Sequence, residues 1–522
     1  MNDPHGAGDS HSDSQPLHEQ PEQAGAPEQS RPIQPLSRVP TGIAGLDTIL
    51  NGGFLQGGIY FISGQPGTGK TILSNQMAFN HVASGGRVVF VSILSETHAR
   101  MFSHLSSLTF FSTEPIGDSL YYISGYGAVQ KEGIEGLLKL LQGAVRDNRA
   151  TLLIIDGTVT AETFSSSEVE FKEFVRRLQS FADAYGCTVL MLSSTDVPKY
   201  GTDHIVGQTT VDGIIHLSNK LVGLRQSRDI HIQKLRGSAF LGGVHTLEIT
   251  ADGVQVYPRV EAVLASSVKA SGSARPDRAR LALGVEKLDD MLQGGVLSGS
   301  STVLLGPSGS GKTLLGLSFL AEGARRGQQG LYFALNEPPA LSIDAGDQIG
   351  LGLSALVERG LIQVLWQPTL EESLDLLAHN LLTAVREGKV QRLFIDGLDD
   401  LDDVNIQTER IPLFFTALMG ELRGLGVTML SAVELSSIFG PSADIPIEGV
   451  SARVENIVFL RYVEIKSELR RIVSILKTRR TAHEGVIREF KVTDQGIEVG
   501  DKLETVEAIL TGVARTLRKV SE

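Results

Sequence analysis

Apolar residues in this chain fall into short unbroken runs, and stretches with helical spacing fill the intervals between them. Residues 58–63, 87–91, 151–156 and 188–192 form such runs in the first half, and 301–305, 330–334, 393–396 and 427–431 form them in the second. An unbroken run predicts a strand covered on both faces. Strands of that kind alternating with helices predict a mostly parallel α/β sheet. Residues 72–83 and 314–324 carry the helical pattern directly after the first run of each half.

The halves repeat. Thr41-Gly42-Ile43-Ala44-Gly45-Leu46-Asp47 with Asn51-Gly52-Gly53 returns as Leu283-Gly284-Val285-Glu286-Lys287-Leu288-Asp289 with Gln293-Gly294-Gly295, and Gly42 and Gly284 stand 242 residues apart. Two homologous domains are therefore expected, at 37–261 and 281–500, joined through a Ser-, Ala-, Gly-, Pro- and Arg-containing linker at 262–280. Residues 1–36 are rich in Pro, Gln, Ser, Glu and His and almost without aliphatic residues. Such a stretch cannot bury enough apolar surface to offset its ordering entropy, so it reads as a disordered tail. His5, His11 and His18 lie in it, too loosely spaced for a metal site. At the other end, apolar positions at Val506, Ile509, Leu510 and Val513 predict a helical segment within 501–522.

The candidate chemistry sits where the first strand of each half meets its helix. Gly64-Gln65-Pro66-Gly67-Thr68-Gly69-Lys70-Thr71 and Gly306-Pro307-Ser308-Gly309-Ser310-Gly311-Lys312-Thr313 both fit G-x-x-x-x-G-K-[ST], the phosphate-binding P-loop, and Lys70 and Lys312 again stand 242 residues apart. The glycines let successive N–H groups turn inward around phosphate oxygens. The lysine then reaches the β- and γ-phosphates of ATP, and the threonine hydroxyl ligates Mg²⁺. Gly64, Gly67, Thr68 and Gly69, with Gly306, Gly309, Ser310 and Gly311, are the expected nucleotide cradle around Lys70, Thr71, Lys312 and Thr313. Asp156 and Asp396 each close a buried run, the position from which an acid joins Thr71 or Thr313 around the metal. Glu96 and Glu337 follow the second run of each half and are candidate bases for an attacking water. Lys234 and Arg236, matched by Lys477 and Arg479, are paired cations on a late strand, placed to reach the γ-phosphate held by a neighbouring copy.

Composition narrows the class. A net charge of -13 over 522 residues argues against a nucleic-acid coat. One cysteine, Cys187, excludes an intramolecular disulfide. With no apolar run of membrane-spanning length and no signal-peptide layout, a cytoplasmic protein without membrane association is expected.

Taken together, the tandem P-loops, the two glycine-rich entry motifs, Ile232-Gln233-Lys234-Leu235-Arg236-Gly237-Ser238 and Arg461-Tyr462-Val463-Glu464 closely resemble the KaiC family of circadian-clock ATPases, over residues 38–500. The resemblance implies two tandem RecA-like P-loop NTPase domains, a double-ring homohexamer with ATP and Mg²⁺ at subunit interfaces, and slow hydrolysis chiefly in the first tier. It also implies autophosphorylation in the second tier and KaiB-like or other signalling partners. Two departures matter. The family carries paired glutamates after the second strand, where this chain has Ser95-Glu96 and Asn336-Glu337. The phospho-acceptor pair aligns with Ser451-Ala452, which leaves only Ser451 a hydroxyl. Two other readings use the same residues: a ring scaffold gated by nucleotide with little turnover, and a RecA-like DNA-dependent ATPase. The acidic charge counts against the second.

Overall fold

The computed structural model describes residues 37–94, 98–194, 210–222, 225–268, 279–369, 373–400, 410–435, 453–465, 467–503, 506–507 and 515–516. The expected tail at 1–36, Glu96 and Ser451 lie outside them.

Each half folds around a nine-stranded sheet. In the first, Leu120–Ser124, Val88–Ser92, Leu152–Asp156, Thr188–Ser194, the P-loop strand Ile59–Gly64 and Gly213–Val222 lie side by side and parallel. Arg225–Leu235, Val244–Thr250 and Gly253–Tyr257 extend the sheet antiparallel. The second sheet repeats the order: Ile362–Trp366, Gly330–Ala334, Arg392–Asp396, Thr428–Glu434, the P-loop strand Ser301–Gly306, then Asn456–Ile465 and the antiparallel Glu468–Thr478, Arg488–Thr493 and Gly496–Lys502. Both P-loop strands are buried at every position, as their unbroken apolar runs predict.

Hydrophobic clusters line both faces of each sheet. The helices that follow the P-loops, Lys70–Ala83 and Lys312–Arg325, contribute Leu73, Met77 and Ala78 to one cluster and Leu315, Phe319 and Leu320 to another. The repeat extends to hydrogen bonds. Arg38 donates to the carbonyls of Leu50 (3.1 Å) and Gly53 (3.0 Å), and Arg280 donates to those of Leu292 and Gly295 (2.8 Å). Asp47 and Asp289 each accept two backbone N–H groups of the glycine-rich entry.

The join between the halves departs from a plain linker. Val260–Val268 is a helix, and its Val260 belongs to the core of the second half while Leu264 packs beside Gly420. Arg410 clamps it: its guanidinium binds Glu261 at 2.8 and 3.1 Å and also Asp375, which accepts a bond from Thr246 of the first half at 3.0 Å. Apolar spacing at Val260, Val263 and Leu264 outweighed the small-residue composition. In the C-terminal segment Val506–Glu507 pairs antiparallel with Arg515–Thr516, so at those positions the chain is extended where periodicity predicts a helix. Among the described residues no helix is long and apolar enough to cross a membrane.

Candidate functional site

Each P-loop joins its strand to its helix through glycines that no other residue could replace cheaply. Gly69 and Gly311 precede the helices at φ +97° and +101°, a left-handed conformation that L side chains rarely adopt. A Cβ on Gly64 would lie 2.4 Å from the Leu217 carbonyl oxygen, and one on Gly306 would lie 2.5 Å from that of Leu460. The loops can therefore press against the next strand and leave their concave side open.

In the second half this concavity is a cavity of about 330 Å³. Gly309, Gly311, Lys312 and Thr313 form its floor, and Asn336, Glu337, Asp396, Asp399 and Glu434 line its sides. Lys312 Nζ donates to the carbonyls of Gly306 at 2.8 Å and Pro307 at 2.9 Å, with Glu434 Oε2 at 3.6 Å. Burial lowers the lysine's pKa, and Glu434, Asp399 and Asp396 counteract that shift. Thr313 Oγ1 lies 3.2 Å from Asp396 Oδ1, and Tyr332 Oη donates to Asp396 Oδ2 at 3.1 Å. Burial raises the Asp396 pKa above the usual carboxylate range, and the hydrogen bonds from Thr313 and Tyr332 oppose it.

In the first half the cavity is wider, about 610 Å³, and Ile72, Leu94, Val159, Leu192 and Ile249 make its walls more apolar. Lys70 Nζ donates to the carbonyls of Gly64 at 2.6 Å and Gln65 at 2.9 Å, and Thr71 Oγ1 lies 3.3 Å from Asp156 Oδ2. Arg228 also lines this cavity.

The donor sets fit a nucleotide that carries its own metal. Inward-facing loop backbone, a lysine, and a threonine hydroxyl beside an aspartate suit polyphosphate and Mg²⁺. Among the described residues no group of three or more His, Cys, Asp or Glu could hold a metal ion alone, so phosphate oxygens and waters would complete its shell.

Of the residues expected from sequence, Gly67, Gly69, Lys70, Thr71 and Asp156 meet at one cavity, and Gly309, Gly311, Lys312, Thr313, Asp396 and Glu337 meet at the other. Thr68 and Ser310 point inward instead: both are buried, and Thr68 Oγ1 donates to the Gln65 carbonyl at 2.9 Å. Gly64 and Gly306 end the P-loop strands beneath. Lys234, Arg236, Lys477 and Arg479 line neither cavity of their own chain. Lys234 pairs in register with Ile214 and Lys477 with Ile457, while Arg236 N and Arg479 N donate to the Asp212 and Glu455 carbonyls at 2.7 and 2.9 Å. Sequence reasoning missed Arg228, Asp399 and Glu434. Glu434 had a signal, since its apolar run continues through Ala432-Val433 to an acid, as the runs ending in Asp156 and Asp396 do. Arg228 stands in a mixed polar stretch with none.

The family model described as "ATPase: KaiC" matches this chain twice, over residues 39–261 and 281–504. The chain belongs to the KaiC family. Its relatives include the circadian clock oscillator protein KaiC of Picosynechococcus sp., 26% identical over 492 residues that cover 92% of this chain and 93% of the relative. The oscillator protein KaiC 1 of Synechocystis sp. is likewise 26% identical, over 502 residues covering 93% of this chain and 94% of that one. The KaiC architecture thus spans both halves, and the nine-stranded sheets are its two RecA-like domains.

Proposed function

We propose that this KaiC-family chain is a Mg²⁺-dependent ATPase that assembles as a homohexamer, with ATP between subunits in both tiers, and that it serves a clock-type or other signalling pathway in the cytoplasm. The observation that carries the reading is the duplicated set of P-loop lysine, threonine and strand-end aspartate around a cavity. Mg²⁺ held by Thr71 with Asp156, and by Thr313 with Asp396, would supply positive charge against the phosphates. Lys70 and Lys312 exchange their carbonyl partners for β- and γ-phosphate oxygens, and the loop N–H groups hold the chain of phosphates in place. For the attacking water the repeat offers Glu96 and Glu337. Lys234, Arg236, Lys477 and Arg479, absent from their own cavities, act on the γ-phosphate of a neighbouring copy, which makes the assembly part of the site. Ser451 is the one hydroxyl at the expected acceptor pair, so autophosphorylation is confined to that residue. KaiB-like or other signalling proteins are the partners of this reading.

A nucleotide-gated scaffold is the second reading, and Asn336 favours it: this side chain lines the second cavity and cannot take a proton. Purified protein with Mg²⁺ and γ-labelled ATP separates the two. The ATPase releases labelled phosphate, and release disappears in the Lys70→Ala, Lys312→Ala double variant; residual autokinase activity also leaves label on the protein that Ser451→Ala removes. Nucleotide-dependent assembly with neither signal would leave the scaffold.

A further inference from the structure

We infer that Glu434 is a further catalytic residue of the second lobe, the carboxylate that orients the attacking water and accepts its proton. The inference rests on the ATPase reading of this cavity.

Topology supplies the first argument. The strand Thr428–Glu434 lies between the P-loop strand and the strand that ends in Asp396, and Glu434 is in register with Gly306, the first glycine of the loop. Ligands of parallel sheets sit at the carboxyl ends of strands. Glu434 is the last residue of the strand beside the P-loop, whereas Glu337 follows a strand two places further from it.

Contacts supply the second. Glu434 Oε2 lies 3.6 Å from Lys312 Nζ, the group that would hold the γ-phosphate, and the side chain is about half exposed to the cavity. Its backbone is tied down, since Glu434 N donates to Asp399 Oδ1 at 3.0 Å. Among the described residues the first lobe has no carboxylate at this position: Ser194 is paired with Gly64. Asn336 stands where the family resemblance expects one of two glutamates, and Glu434 returns a second acid to the cavity from a different strand.

The chemistry balances with ATP and water alone. The water oxygen forms a bond to Pγ as the bond from Pγ to the β–γ bridging oxygen breaks. ADP leaves with that electron pair, and the water proton passes to the Glu434 carboxylate and on to solvent. Before nucleotide arrives the same carboxylate holds Lys312, so removing its charge frees the lysine for phosphate.

The test uses the full chain carrying Lys70→Ala, so that turnover reports the second lobe. Phosphate release and binding of a fluorescent ATP analogue are measured with and without Glu434→Gln, Glu434→Asp, Glu337→Gln and Lys312→Ala. Glu434→Gln should lower kcat about 100-fold, in the range expected for loss of a general base. It should leave nucleotide affinity unchanged or tighter, Glu434→Asp should recover part of the rate, and Glu337→Gln should cost less. Unchanged kcat in Glu434→Gln, or loss confined to KM, overturns the proposal while the ATPase reading stands. Release from the Lys70→Ala chain with Glu434 intact that is no greater than from the Lys70→Ala, Lys312→Ala chain overturns both. Glu434→Gln in the otherwise unaltered chain, with the second-lobe rate taken as the part that Lys312→Ala removes, gives the same decision should Lys70→Ala fail to fold.

Discussion

The two lobes share strand order, loop geometry and even the bonds of their glycine-rich entries, yet their phosphate cavities differ in charge. Among the described residues, the first is lined by two cations and one carboxylate, Lys70, Arg228 and Asp156. The second is lined by one cation and four carboxylates, Lys312 against Glu337, Asp396, Asp399 and Glu434. The backbone of a P-loop is a geometric requirement and resists change, because a Cβ at Gly64 or Gly306 collides with the neighbouring strand. The walls carry no such constraint. One duplicated scaffold therefore carries two linings whose described residues are opposite in net charge.

The sharpest break in the symmetry lies beneath the second cavity. Arg392 begins the strand ending in Asp396, at the place Leu152 holds in the first lobe, and it is fully buried. It donates to Gln328 Oε1 at 2.7 Å and to the carbonyls of Ala282 and Phe319 at 2.7 and 2.9 Å, and it stacks on the Phe319 ring. Gly323 makes room for it, since a Cβ there would lie 2.3 Å from Arg392 Cδ, whereas the first lobe has His81 at the matching position. Burial pushes the guanidinium pKa down to about 10, still charged at neutral pH. Arg392→Leu imitates the first lobe but strands three acceptors, and we expect it to destabilise the second lobe by roughly 3 kcal/mol or more. Urea unfolding followed by probes in each lobe checks this. A loss below about 1 kcal/mol would mean that the first-lobe solution fits the second lobe as well.

Next in size is the contrast in cavity charge. Lys312→Ala leaves four carboxylates and no cation on the described lining, while Lys70→Ala leaves Arg228 and Asp156 on the other. Nucleotide affinity should fall about 100-fold in the second lobe, about 2.7 kcal/mol, and about tenfold in the first. Equilibrium dialysis of the two single variants resolves the sites one at a time. Equal losses would show that cavity charge does not set affinity and that the loops alone do.

The loops, the strand-end aspartates and the parallel sheets were legible because each is written locally: a phosphate nest needs its glycines in order, and a doubly covered strand needs an unbroken apolar run. The walls were less legible. Glu434 and Asp399 reach the cavity only because strand order brings three strand ends together, which no spacing along the chain reports. Arg228 comes from an antiparallel strand beyond the P-loop strand and carries no motif. Positions 262–268 of the expected linker continue the helix Val260–Val268, which composition does not report because Ala, Ser and Val suit either state and the clamp of Glu261 by Arg410 is 149 residues distant in sequence. At the C-terminus Val506–Glu507 and Arg515–Thr516 are extended, while Ile509, Leu510 and Val513, which carry most of the helical spacing, lie outside the described residues.

The smallest effect tests a single hydroxyl. Tyr332 and Phe90 occupy matching positions of the second strand in each lobe, so the fold accepts either ring there. In the second lobe the phenol donates to Asp396 Oδ2 at 3.1 Å, and burial keeps its pKa well above the usual value, which holds it protonated as a donor. Burial raises the Asp396 pKa, and this bond, that from Thr313 and the charge of Lys312 favour the charged carboxylate. Tyr332→Phe removes the bond without opening a large cavity and should weaken Mg²⁺-dependent nucleotide binding in the second lobe about fivefold, the worth of one hydrogen bond at about 1 kcal/mol. Titration of a fluorescent ATP analogue into Lys70→Ala protein with and without the change reads that difference directly. An unaltered affinity would mean that Thr313 and the charge of Lys312 suffice to favour the charged Asp396, and that the second lobe keeps its tyrosine for packing on Phe394, whose ring lies stacked 5.6 Å away.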